Sequence, residues 1–230
     1  MQHFTDLGIV LKSFRYQERD QVIVILTENN GKITALAKGG VSSKRFGGAL
    51  DFLACSDFNW VFKPTSEMCR IESAVVRYEL KTLHGDFEIL TAASFMAEFC
   101  LKLIELNTPV RELFIILSNG LYYLNKGLSP NITVVTFLSK MFRALGYGGI
   151  DLSESHTELN ILRLDQILTN TSFKEIFGLN AELSQSFSSA LELQELFSKY
   201  SNFLTHQMSG MPSSGLKSLK LLSETSFDQK

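Results

Sequence analysis

Near residue 80 the spacing of apolar residues changes, and this limits the chain to a β-rich first part and an α-helical remainder. Upstream, Gly8 to Phe14, Gln21 to Thr27, Lys32 to Lys38, Leu50 to Phe62 and Glu67 to Glu79 are rich in Val, Ile, Phe and Thr, with turn formers between them. Asn29, Asn30 and Gly31 tolerate positive φ, so the second and third segments should pair as a hairpin. Lys63, Pro64, Thr65 and Ser66 should close another. Five short strands joined this way predict a small closed or partly closed barrel, because closure removes exposed strand edges. An OB-type barrel suits the pattern, and an SH3-like barrel suits it as well.

Downstream, Ile89, Ala93, Met96, Cys100 and Leu103 recur at three and four residues, predicting an amphipathic helix over Asp86 to Leu106. Thr108 before Pro109 reads as an N-cap with proline at the first helical position, and Gly127 as the stop. Ser129 and Pro130 repeat that start, and Gly146 ends the following helix. Helices in series with short connections pack as a bundle. Residues 147 to 158 are polar and loop-like, short irregular elements should continue to Gly178, and a last helix should run from Ser186 to Met208. A tail then passes through Gly210, Pro212 and Gly215 to Leu216–Lys220. The expected class is α+β: an OB-fold nucleic-acid-binding domain over 1–80, then an all-α domain over 81–230 with an irregular insert at 147–178.

A chain of 230 residues with 45% hydrophobic and 20% charged residues can bury a sizeable core, and eighteen Phe against one Trp make that core Phe-rich. No apolar run approaches the roughly 20 residues needed to cross a bilayer. The amino end lacks the basic start and apolar stretch of a secretory signal, so a cytoplasmic location is expected. Cys55, Cys69 and Cys100 are widely spaced with no C-x-x-C pair, and read as buried free thiols. The formal net charge of −2 argues against a strongly basic nucleic-acid binder, but residues 1 to 47 hold seven basic residues to four acidic ones.

Little in the chain suggests catalysis. His3, His84, His156 and His206 are far apart with no carboxylate or Cys at ligand spacing, and neither G-x-S-x-G nor H-E-x-x-H occurs. An enzyme is not expected, nor a cofactor or metal. The glycine-rich run from Lys38 to Gly48 fails the phosphate-loop pattern, since Lys44 follows Ser43 and precedes Arg45 with no helix start beyond. It reads either as a mobile connection or as a basic finger whose Lys38, Lys44 and Arg45 grip phosphates while the glycines let the backbone approach. Phe14 and Tyr16 interleave with Lys12, Arg15 and Arg19. On a barrel face, such rings can stack bases while the cations hold the strand; otherwise Phe14 is core and the others are surface residues.

Asp6-Leu-Gly-Ile-Val-Leu-Lys-Ser, Tyr16-Gln-Glu18-Arg-Asp20, Leu26-Thr27 with Gly31-Lys32, Ala37-Lys38-Gly39 and Gly47-Gly-Ala-Leu50 together resemble, in order and spacing, the N-terminal pattern of the bacterial RecO family. Leu145-Gly146-Tyr147-Gly148 and Leu216-Lys217-Ser218 resemble its later landmarks. The resemblance is dense over the first fifty residues and sparse beyond. It implies an OB-fold followed by a helical domain, and a DNA-repair and recombination mediator that binds single-stranded DNA and anneals complementary strands. It also implies contact with the C-terminal tail of the single-strand-binding protein SSB, and work with RecR to load RecA. Family DNA contacts lie on the basic barrel surface, so Lys38, Lys44 and Arg45 inherit them first, then Lys12, Arg15 and Arg19.

Two departures stand out. Many relatives carry a four-cysteine zinc site after the position of Gly146, whereas residues 147 to 170 contain no Cys, so no zinc is expected. Relatives often place an Arg before the residue matching Phe137, beside the SSB-tail pocket, where this chain has Thr136. Lys140, Arg143, Lys217 or Lys220 would then supply the cation. A mediator that tracks phosphates with its barrel and recruits proteins with its bundle is the leading expectation. The alternative is a protein-interaction adaptor whose OB-fold no longer binds DNA.

Overall fold

The computed structural model describes residues 1–147, 158–179, 190–207 and 216–225, apart from Ser43, Thr65 and Glu67. Five strands lead the chain: β1 (Gln2–Tyr16), β2 (Asp20–Thr27), β3 (Gly31–Ala37), β4 (Cys55–Phe62) and β5 (Cys69–Tyr78). They form a closed barrel in the order β1-β2-β3-β5-β4. β1 is long enough to serve two neighbours: Gly8–Tyr16 pairs antiparallel with β2, and Gln2–Ile9 with β4. Between those halves the register slips at Val10/Lys12, and the bulged Leu11 bends the strand so the sheet can close. A short parallel seam, Ala35 with Cys69 and Leu36 with Arg70, joins β3 to β5. This is an OB-type barrel followed by helices, an α+β fold, which decides between the two barrel types the strand pattern allowed.

Alternation along the strands fills the interior with Val10, Ile23, Ile25, Ile33, Ala35, Phe58, Trp60 and Ile71. Trp60 is 2% exposed and stacks on Phe4 with ring centroids 5.6 Å apart. The β2–β3 hairpin forms as expected. Its turn is clamped by the buried Asp6 carboxylate, which accepts from the Asn29 backbone N–H and from the side-chain amides of Asn29 and Asn30. Gly31 is required twice over: its φ is 74°, and a Cβ there would lie 2.2 Å from the Thr108 carbonyl oxygen.

The fourth strand departs from expectation. It starts at Cys55 rather than Leu50, because Gly47, Gly48 and Leu53 take positive φ (47°, 86° and 67°), which an extended strand cannot hold. Residues 46–54 form successive turns, with Ala49 N–H donating to Phe46 O, Asp51 N–H to Gly48 O and Ala54 N–H to Asp51 O.

Beyond a short 3₁₀ turn (Lys81–His84) lie seven helices among the described residues: α1 (Phe87–Leu103), α2 (Arg111–Asn125), α3 (Pro130–Ala144), α4 (Glu158–Asn170), α5 (Phe173–Gly178), α6 (Ala190–Gln207) and α7 (Lys217–Thr225). The chain divides into two compact units, Met1–Lys81 with Ala97–Ser118, and Thr82–Met96 with Asn119–Lys230. In the first, Lys32 holds the segment after α1: its ammonium donates to Leu101 O, and its carbonyl accepts from Asn107 N–H at 2.8 Å. Residues 106–108 are therefore tied down outside any helix, with Asn107 at a φ of 59°, and α2 begins later than expected. Val110, whose carbonyl accepts from Phe114 N–H, takes the cap position instead of Thr108. Ser129, Pro130, Gly127 (φ 98°) and Gly146 (φ 83°) bound α2 and α3 as the sequence predicts.

Within the second unit α3 is nearly all buried, packed by α4 and α6. Phe142 of α3 stacks on Tyr200 of α6 at 5.1 Å and meets Phe203 edge-on at 5.2 Å. The expectation of irregular structure up to Gly178 is corrected: 158–178 hold α4 and α5. Ile161, Leu164 and Leu168 of α4 are buried at helical spacing, and Ser172 with Glu175 forms a reciprocal capping box that starts α5. Most of the 147–158 loop, and residues 186–189 and 208 of the last expected long helix, lie outside the described residues.

Candidate nucleic-acid interface

Two stretches separated in sequence come together at one end of the barrel. The β1–β2 turn and the connection after β3 are tied by Gly39 N–H donating to the Asp20 carboxylate at 2.8 Å and Val41 N–H donating to Arg19 O at 3.1 Å. Gly40 lies directly on Gln21, where a Cβ would come within 2.9 Å of the Gln21 Cβ. The Gln21 side-chain amide in turn donates to the Ser13 hydroxyl and to Leu50 O. These bonds border an open cleft of about 420 Å³, with Phe14, Arg15, Lys44, Phe46, Gly48 and Asp51 on its walls.

The cations around this end differ from most others on the barrel, although Lys63 between β4 and β5 is also exposed with no ion pair among the described residues. Arg15, Arg19, Lys38 and Lys44 are exposed and form no ion pair among the described residues. Elsewhere in the same unit, Arg70 pairs with Glu72, Arg77 with Asp57, Lys81 with Glu79, Lys102 with Glu98 and Arg111 with Glu28. Two side chains are engaged with rings: the Lys12 ammonium lies 5.4 Å from the Phe14 centroid, and the Arg45 guanidinium 4.5 Å from that of Phe46. Phe14 and Tyr16 are 43% and 42% exposed, leaving part of each ring open to a partner.

Directly paired residues share a face of a sheet, so the register sorts the predicted contacts into two sets. Lys12, Phe14 and Tyr16 lie with Val24, Val22 and Asp20, whereas Ser13 and Arg15 lie with Ile23 and Gln21. Arg15 thus points with the barrel's inward-facing row into the cleft mouth, and Lys12 and Tyr16 flank it from the other side. Sequence reading missed Gln21, Phe46 and Asp51. Asp51 could have been noticed as the acid that follows an otherwise basic glycine-rich run.

The residues predicted to meet a protein tail fare differently. Phe137 and Thr136 are fully buried in α3. Lys140 is committed to its own unit: its ammonium donates to Thr169 O at 2.8 Å and Thr171 O at 2.7 Å, capping α4. Burial, and next the Arg143 guanidinium, hold that ammonium below its ordinary pKa, with Glu175 acting in the opposite sense. Arg143 is exposed and donates to the Asn170 side chain at the edge of a cleft of about 260 Å³. In that cleft the Tyr200 hydroxyl bonds to Ser139 and Asp165. Lys217 and Lys220 are exposed on α7.

The three cysteines are free and buried, and burial followed by the Asp57 carboxylate pushes the Cys55 thiol up to about 12, leaving it inert. Among the described residues, no group of three or more His, Cys, Asp or Glu could hold a metal ion. No helix among them is long and apolar enough to cross a membrane.

Residues 1–78 match the family model described as Recombination protein O N terminal, and residues 84–160 match Recombination protein O C terminal. The chain is similar to the DNA repair protein RecO of Thermodesulfovibrio yellowstonii, 27% identical over 146 residues, covering 63% of this chain and 58% of that protein. It is also similar to RecO of an Anaeromyxobacter species, at 31% over 140 residues (60% and 55% covered), and of Acetivibrio thermocellus, at 32% over 148 residues (64% and 59%). The matched part spans somewhat more than half the length of these relatives.

Proposed function

Since the chain belongs to the RecO family, we propose that it acts in DNA repair as a recombination mediator, binding single-stranded DNA at the open end of its barrel and performing no covalent step. The observation that carries this reading is the grouping of four exposed cations with no ion pair among the described residues, Arg15, Arg19, Lys38 and Lys44, around two exposed rings, Phe14 and Tyr16. Cations without carboxylate partners can neutralise phosphates and release the counterions condensed on the strand, and exposed rings stack bases of any sequence. Lys12 and Arg45, already resting on rings, extend the same surface.

Annealing of complementary strands, docking on the SSB tail, and RecR-dependent loading of RecA enter the reading through family membership. Arg143, Lys217 and Lys220 are the exposed cations that would meet an acidic tail, because Lys140 is spent on α4. The proposed setting is the cytoplasm.

Titrating a dye-labelled single strand at several salt concentrations tests the barrel. If about four phosphates are neutralised, log affinity should fall with log salt at a slope near −3, from roughly −0.7 per contact. Salt-independent binding would remove the barrel from the role. Annealing of SSB-coated oligonucleotides, with and without the SSB tail, tests the mediator step, and its absence in both arms would sink that reading.

A further inference from the structure

The cleft at the barrel end contains one group that phosphate binding does not use. Asp51 lies on its wall with an exposed carboxylate that takes no hydrogen bond or ion pair among the described residues. A bare anion in the cleft that Arg15 and Lys44 also line would weaken a surface meant only for phosphates. Its place is nevertheless set firmly by the turns that link Gly48, Asp51 and Ala54 through backbone hydrogen bonds of 3.1 and 3.0 Å. The approach to it is also kept open, since a Cβ at Gly48 would sit 3.4 Å from Asp51 Oδ2, and the φ of 86° there disfavours any side chain.

Around the carboxylate the cleft has the parts of a base pocket, since its lining includes the half-exposed Phe14 and the buried Phe46 together with Arg15 and Lys44. Its volume of about 420 Å³ falls within the roughly 300–1,000 Å³ of small-molecule sites. A carboxylate only accepts hydrogen bonds, so it selects the base that offers two adjacent donors. Guanine does so with N1–H and the 2-amino group. Adenine and cytosine offer one amino group, and thymine has a single imide N–H between two repelling carbonyls.

We propose that this cleft holds one unpaired guanine of the bound strand, with N1–H and the 2-amino group donated to the two oxygens of Asp51, the ring against Phe14, and flanking phosphates on Arg15 and Lys44. This rests on the reading of the barrel end as the single-strand site and adds base preference to it. Binding is measured by fluorescence anisotropy on the full chain, using a short oligothymidylate with one central guanine, hypoxanthine or thymine. Hypoxanthine keeps N1–H but lacks the 2-amino group, so the expected order is guanine, hypoxanthine, thymine. The whole span should be about fivefold, at the low end for a bidentate base contact because the site is open to water.

Asp51→Asn and Asp51→Ser should bring the three strands to equal affinity while Trp60 fluorescence stays native. Lys44→Ala should weaken all three alike and preserve their order. Equal binding of the three strands by the unmodified protein, or a guanine preference that survives both Asp51 variants, overturns the pocket and leaves the phosphate surface standing. Failure to bind any strand overturns the reading beneath it as well.

Discussion

Strands β4 and β5, leaving aside Lys63 in the turn between them, and the end built by the β1–β2 turn and residues 38–51 both display cations, but in opposite states. On the first, Arg77 faces Asp57 across the strand pair at 2.9 Å, and Arg70 is paired along the strand with Glu72. On the second, Arg15, Arg19, Lys38 and Lys44 have no carboxylate within pairing distance among the described residues, and the one acid lining the cleft, Asp51, stands unpaired as well. A chain with a formal net charge of −2 can still present a usable cationic surface when its acids neutralise other cations. Availability, set by where the fold places acids, matters more than the count.

That contrast yields graded expectations. Replacing Arg15 and Lys44 together with Ala should lower single-strand affinity by between about tenfold and a hundredfold at low salt and flatten the salt slope by about 1.4, two contacts' worth. Anisotropy at several salt concentrations checks it, and an unchanged slope would equate the two sides of the barrel. Lys140→Ala should leave strand binding alone yet lower stability by about 1–3 kcal/mol, since Thr169 O and Thr171 O lose their donor. Urea titration followed by circular dichroism reads that loss.

Tyr200→Phe, which removes the bonds to Ser139 and Asp165, should cost about 1 kcal/mol near neutral pH. Burial, then Asp165, holds this hydroxyl well above its ordinary value of 10.0. Above that pH the unfolded chain therefore releases a proton that the folded one retains. The advantage over the Phe variant should be complete below pH 10 and shrink as pH rises further, visible as converging urea midpoints. The smallest effect belongs to the paired side: Arg70→Ala with Arg77→Ala should change strand affinity by less than about twofold, as expected for exposed charges already engaged with carboxylates. A larger loss there would mean that pairing in the free protein does not predict which cations the strand recruits.

Much of the architecture was legible because it depends on local chemistry. The Asn-Asn-Gly turn, the Ser129-Pro130 start and the Gly127 and Gly146 stops each satisfy backbone needs within a few residues. The misplaced boundaries were those that distant partners decide. β4 starts late because Leu53 N–H donates to Val10 O and Val10 N–H to Ala54 O, which hold the 46–54 turns against β1, and α2 starts late because Lys32 and Gly31 pin residues 106–108 outside the helix. Of the predicted contacts, the basic and aromatic residues were visible as a run, and strand alternation alone separates Lys12, Phe14 and Tyr16 from Arg15, but which of the two sets joins the inward-facing row follows from a bulge at Leu11 that no local pattern announces. Lys140 looked like a surface cation and is a helix cap.

The amino-acid order alone determined a strand-rich barrel followed by helices, since period, turn residues and caps act over a few positions. Tertiary structure decided which cations stay unpaired, that Asp51 and Lys44 share one cleft with Arg15 and Phe14, and that Phe137 is core. Those outcomes depend on distances between residues far apart in the chain, and only closure of the barrel and packing of the helices set them.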